Sequence, residues 1–168
     1  MEVKGLKLGD VVTTQSLANL FGTATCPTAE AQAHMHNDVY DVFIFCKVPI
    51  SYLGIRTSAK IGITESWRVT SIFIIIPVER LSDVETVLAK KYGRPTLNRG
   101  TIRMFRLKDP KTGVETGPEI PSKELCSEWK DIEQSNISVC DAFPSPGYSP
   151  PGVWYRYRAP VVLDPSDI

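Results

Sequence analysis

Arg68-Val-Thr-Ser-Ile-Phe-Ile-Ile-Ile-Pro-Val78, followed by Ser82-Asp-Val-Glu-Thr-Val-Leu-Ala-Lys-Lys-Tyr-Gly93, is the stretch that decides the fold. The first part is dense in β-branched residues. Its apolar side chains at Ile72–Ile76 occupy both alternating faces, the pattern of a central strand covered on at least one side. The second part predicts a helix from Asp83 to Tyr92, with Val84, Val87, Leu88 and Tyr92 as a buried stripe. Ser82 and Glu85 have the spacing of a capping box. Lys90 and Lys91 suit the negative end of the helix dipole, and Gly93 and Pro95 stop the helix.

Residues 3–9 alternate and read as a short strand, and Thr14–Phe21 as a helix capped by Thr13 or Thr14. Leu17, Leu20 and Phe21 would share its buried face, and Gly22 would close it. Val39–Val48 reads as a strand, residues 51–65 as a strand or hairpin, and Thr101–Leu107 as a strand. Asp109–Gly113 is a turn and residues 114–124 are loop-like. Glu128–Ile132 and Ile137–Ala142 are expected to pair around Gln134–Asn136, and Val153–Ala159 is the last strand. The pattern predicts an α+β fold in one domain spanning residues 1–168. Two short helices would pack on one face of a mainly antiparallel β-sheet of about five to seven strands.

The chain has 168 residues, 42% of them hydrophobic, which suits one domain with a real core. Nineteen basic residues balance nineteen acidic ones, so no broadly basic surface for nucleic acid is expected. No apolar run is long enough for a membrane-spanning helix, so no integral membrane segment is expected. Cys26, Cys46, Cys126 and Cys140 fall into two local pairs. Two disulfides, Cys26–Cys46 and Cys126–Cys140, would staple loops and place the protein in an oxidising compartment, periplasmic or secreted. The opening Met1-Glu2-Val3-Lys4-Gly5 has no signal-peptide character, so this reading takes the signal as removed. The competing reading is a cytosolic protein with four free thiols.

No catalytic signature appears. His34-Met-His36, with Asp38 and Asp41 nearby, is the only histidine cluster, and its spacing is unlike that of structural zinc sites. No metal or cofactor is expected. Phosphate-binding glycine loops and a G-x-S-x-G elbow are absent. Trp154-Tyr-Arg-Tyr-Arg158 is the candidate binding element. In a strand Val153, Tyr155 and Tyr157 would face the core, leaving Trp154, Arg156 and Arg158 as an exposed row of interface-prone side chains. The preceding proline loop, residues 143–152, carries Phe143 and Tyr148 on a stiff frame that could extend the same binding edge. Asn136-Ile-Ser138 has the form of a glycosylation sequon.

Leu8-Gly9, the helix Leu17–Phe21, Gly22-Thr-Ala-Thr-Cys26 and then Cys46 follow one another as in a unit of the beta-lactamase inhibitory protein family, which they resemble. The same order is similar to the SmpA/OmlA small envelope lipoproteins. Lys91-Tyr-Gly-Arg-Pro95 after an apolar strand resembles small proteobacterial envelope proteins. The resemblance implies a helix-on-sheet core and a bond between Cys26 and Cys46. It also implies a non-enzymatic module that binds another protein as an inhibitor, immunity factor or assembly accessory. The alternative is an extracytoplasmic enzyme, such as a hydrolase, with a site near His34, His36 and Asp38.

Overall fold

The computed structural model describes residues 2–27, 44–109, 111–132, 135–141 and 150–157. Among the described residues its centre is a six-stranded antiparallel sheet. The strands are β3 (Ile44–Tyr52), β4 (Ile55–Ile63), β5 (Val69–Ile75), β8 (Cys126–Ile132), β9 (Ser135–Cys140) and β10 (Gly152–Tyr157), in spatial order β3-β4-β5-β10-β9-β8. Among the described residues two helices accompany it, α1 (Thr14–Phe21) and α2 (Leu81–Tyr92), an arrangement that fits an α+β or β-rich class. β5 is central, as its apolar residues on both faces require.

Strand pairing sorts the sheet residues by face. Val48 pairs with Ala59, Ala59 with Ile74, Ile74 with Val153 and Val153 with Val139. The next row joins Cys46, Ile61, Ile72, Tyr155, Ile137 and Trp129. All are buried, and they form one cluster with Leu17 and Phe21 of α1 and Leu81, Val84 and Leu88 of α2. α1 touches β3, and α2 touches β8 and β9. Trp129 adds a polar tie, its indole N–H donating to the Gly93 carbonyl at 2.8 Å where α2 ends.

Thr13 caps α1 and makes a reciprocal capping box with Ser16, and Gly22 closes the helix at a φ of 90°. Leu20 does not join the buried stripe: it is 37% exposed. α2 starts two residues earlier than expected, because a single 3₁₀ turn (Val78–Arg80) leads into it. The expected Ser82–Glu85 capping box is absent, since the helix has no side-chain cap and Glu85 binds Arg99 instead. Val87 is 44% exposed, and Leu81 takes its place in the stripe.

Residues 3–9 are not one strand. Lys4 and Gly5 both take positive φ, and this tight turn folds β1 (Glu2–Val3) back on β2 (Leu6–Lys7). The expected loop at 114–124 is also overturned. β6 (Ile102–Lys108) pairs with β7 (Glu115–Lys123) in a separate two-stranded ribbon. The turn between them is built as expected, with the Asp109 carboxylate accepting the Lys111 and Thr112 amides at 2.8 and 2.9 Å. Those two bonds, the Thr112 amide foremost, hold the Asp109 carboxyl below its usual range.

All four cysteines are bonded, Cys26 to Cys46 and Cys126 to Cys140. Each pair lies directly opposite across antiparallel backbone. Thr25 and Lys47 exchange both backbone hydrogen bonds, so Cys26 and Cys46 occupy the adjacent narrow pair, with Cα atoms 4.2 Å apart. Cys126 and Cys140 face each other on β8 and β9 at 4.1 Å. The bridges therefore staple the segment after α1 to β3 and close the β8–β9 hairpin. In the loop-entropy model each contributes about 3 kcal/mol. No described helix is long and apolar enough to cross a membrane.

Candidate interaction face

Alternation along β10 sends Val153 and Tyr155 into the core and Trp154 and Arg156 to the opposite face. That second face has its own small apolar cluster, in which Phe73 and Cys140 are buried and Ile75, Cys126 and Trp154 pack against them. Register explains the grouping. Trp154 lies between Phe73 of β5 and Ser138 of β9, and Arg156 lies between Ser71 and Asn136.

The side chains form a stack along the strand. The Phe73 and Trp154 ring centroids are 5.8 Å apart at an interplanar angle of 58°. The Arg156 guanidinium lies 5.2 Å from the Trp154 ring centroid, a cation–π contact, and donates from Nη2 to Ser138 Oγ at 3.3 Å. At the other end Phe73 leans over Gly152. A Cβ at Gly152 would overlap the Ile74 carbonyl oxygen and lie 2.9 Å from Phe73 Cε2, so only glycine fits beneath the ring. The Cys126–Cys140 bridge flanks the stack, because Cys140 is the β9 residue opposite Gly152.

The expected exposed row is therefore corrected: Trp154 and Arg156 are half-buried and engaged with their neighbours. Arg158, Phe143 and Tyr148 lie outside the described residues, as do His34, His36 and Asp38. The sequence reading missed Phe73, Ser138 and Gly152 as members of this face. The doubled apolar pattern of β5 signalled that its second face would be covered, but only strand register says by what.

The face combines aromatic area, one cation and hydroxyls. The Ser71 hydroxyl is buried with no hydrogen-bond partner among the described residues. No group of acidic, histidine or cysteine side chains among the described residues could hold a metal ion. Two other polar clusters tie elements together. Arg99 Nε and Nη2 donate to the two Glu85 carboxylate oxygens at 3.0 and 3.2 Å, and Nη1 donates to Asp141. The Glu85 bond, foremost, raises the Arg99 pKa. The hydroxyls of Tyr52 and Tyr155 share a hydrogen bond on the core face.

Comparison with protein-family models, curated proteins and solved structures gives no significant match.

Proposed function

We propose that this chain is a non-enzymatic protein-binding module of the bacterial periplasm or exterior, acting as an inhibitor, an immunity factor or an assembly accessory. The observation that carries the reading is the ordered Phe73–Trp154–Arg156 stack on the sheet face opposite the main core. Tryptophan and arginine dominate protein-interface energetics, and a stack held by its neighbours loses little entropy on binding. In this reading the chain is one domain. Both described helices pack with the core face of the sheet, and the partner would bind on the opposite, Trp154 face. Two disulfides fit an oxidising compartment, and the resemblance to the beta-lactamase inhibitory protein family points the same way. The balanced charge argues for a protein partner over nucleic acid.

The test is crosslinking and capture from envelope extract, with the wild-type chain as bait beside Trp154→Ala and Arg156→Ala. Loss of the same captured protein in both variants, with an affinity drop of about tenfold or more, is the expected result. Capture unaffected by both substitutions overturns the reading.

A further inference from the structure

Each edge strand of the main sheet carries one further bridge, Thr25 to Lys47 at the outer side of β3 and Leu97 to Glu128 at the outer side of β8. The β6–β7 ribbon carries none among the described residues. Among the described residues its only strand pairing is internal, and its residues stand in solvent, with Ile102 68% and Met104 54% exposed.

The two edges of the ribbon differ. Glu124 N–H donates to the Thr101 carbonyl at 2.8 Å and the Glu124 carbonyl accepts from Gly100 N–H at 2.7 Å, so the ribbon starts from a hydrogen-bonded site bulged at Gly100. Bonded and non-bonded pairs alternate in an antiparallel ladder, so Ile102 with Lys123 and Met104 with Pro121 are non-bonded pairs. Their backbone groups point away from the partner strand. On β7 this places the missing N–H of Pro121 at the outer edge, which blunts it. On β6 it leaves the N–H and C=O of Ile102 and Met104 directed outward, and no backbone hydrogen bond among the described residues reaches them. An outward row of paired donors and acceptors is a template for one more strand.

Charge selects the occupant. β6 contains Arg103, Arg106 and Lys108 and no acidic residue. Arg103 reaches Glu124 only at 3.4 Å through Nε, and Arg106 reaches Glu119 at 3.5 Å, with both arginines more than half exposed. Such solvated pairs yield readily to another carboxylate. A second copy's β6 would bring cations toward cations. We propose that the open edge of β6 is a strand-addition site for an extended segment of another protein in which apolar and acidic residues alternate. The apolar set would lie beside Ile102 and Met104, and the acidic set beside Arg103.

The test uses three labelled peptides of about a dozen residues, alternating Val–Glu, Val–Lys and Val–Ser, titrated against the full chain. The Val–Glu peptide is expected to bind at least about tenfold tighter than Val–Lys and to slow hydrogen exchange at the Ile102 and Met104 amides. Met104→Pro removes an outward N–H without touching a β6–β7 bond, and should weaken binding at least about tenfold. Arg103→Glu should shift the preference toward Val–Lys and serves if the proline variant misfolds. Trp154→Ala should leave this binding unchanged, which separates it from the face proposed above. No binding, equal affinity for the three peptides, protection elsewhere, or a dimer protecting these amides overturns the proposal.

Discussion

Tyr52 and Tyr155 meet hydroxyl to hydroxyl over the core face of the sheet, although β4 and β5 lie between the strands that carry them. Neighbouring strands are about 4.8 Å apart, so the two phenols span roughly 14 Å of sheet tip to tip. Their rings meet edge-on, with centroids 6.4 Å apart. Burial, foremost, raises both hydroxyl pKa values above the ordinary 10.0. The unfolded chain then ionises first. The stabilisation is full below pH 10 and is lost progressively as pH rises above it. Denaturant midpoints measured across this range should fall with pH in the wild type and less steeply in the Tyr52→Phe, Tyr155→Phe double variant. Each single variant should cost about 1 kcal/mol at neutral pH, and the pair less than the sum.

Arg99 joins α2 to the segment after β9 through Glu85 and Asp141, and its backbone N–H donates to Ser127 Oγ at 3.0 Å. Arg99→Met should destabilise the fold by about 2 kcal/mol, because it leaves two partly buried carboxylates without their shared cation. Arg99→Lys should recover little of this, since an ammonium cannot make the two-pronged Glu85 contact. Chemical denaturation of the three proteins decides it.

Gly152→Ala should cost about 1–3 kcal/mol, as small-to-large changes in packed sites do. The near-ultraviolet circular dichroism of Trp154 should change with it, because the Phe73 ring must move. Phe73→Ala should relieve only part of the cost, since the overlap with the Ile74 carbonyl remains.

Replacing residues 102–123 with a short Gly-Ser turn should leave the thermal midpoint of the remaining domain nearly unchanged. Glu124 and Thr101 already close the base of the ribbon. A two-stranded ribbon adds little stability on its own. A large fall in the midpoint would show that the ribbon is part of the cooperative unit.

The parts legible in the sequence are those set by local pattern. The β5–α2 stretch, α1 with its closing glycine, the β8–β9 hairpin and both cysteine pairings all follow from periodicity, capping residues or short spacing. The parts that were not legible depend on residues distant in the chain. Glu85 has capping-box spacing, but Arg99 captures it. Residues 114–124 read as loop-like, yet an edge strand tolerates a proline whose nitrogen faces outward, as Pro121 does opposite Met104. The alternation of β10 was readable, and so was the inward placement of Val153 and Tyr155. That Trp154 would be half-covered by Phe73 was not, because the register of β10 against β5 is a long-range choice.

β10 comes after every other described strand in the chain and yet sits in the middle of the sheet, between β5 and β9. During synthesis or refolding, the halves β3-β4-β5 and β8-β9 can each form locally, but each then presents an apolar edge with no partner. Their union waits for residues 152–157, and pairing over such sequence distance is entropically slow. Until that strand arrives the chain is an open two-part sheet, prone to take a foreign strand or to associate with its own kind. The same gap means that a chain lacking these residues could in principle be completed by a free peptide of that sequence, with Val153 and Tyr155 filling the core.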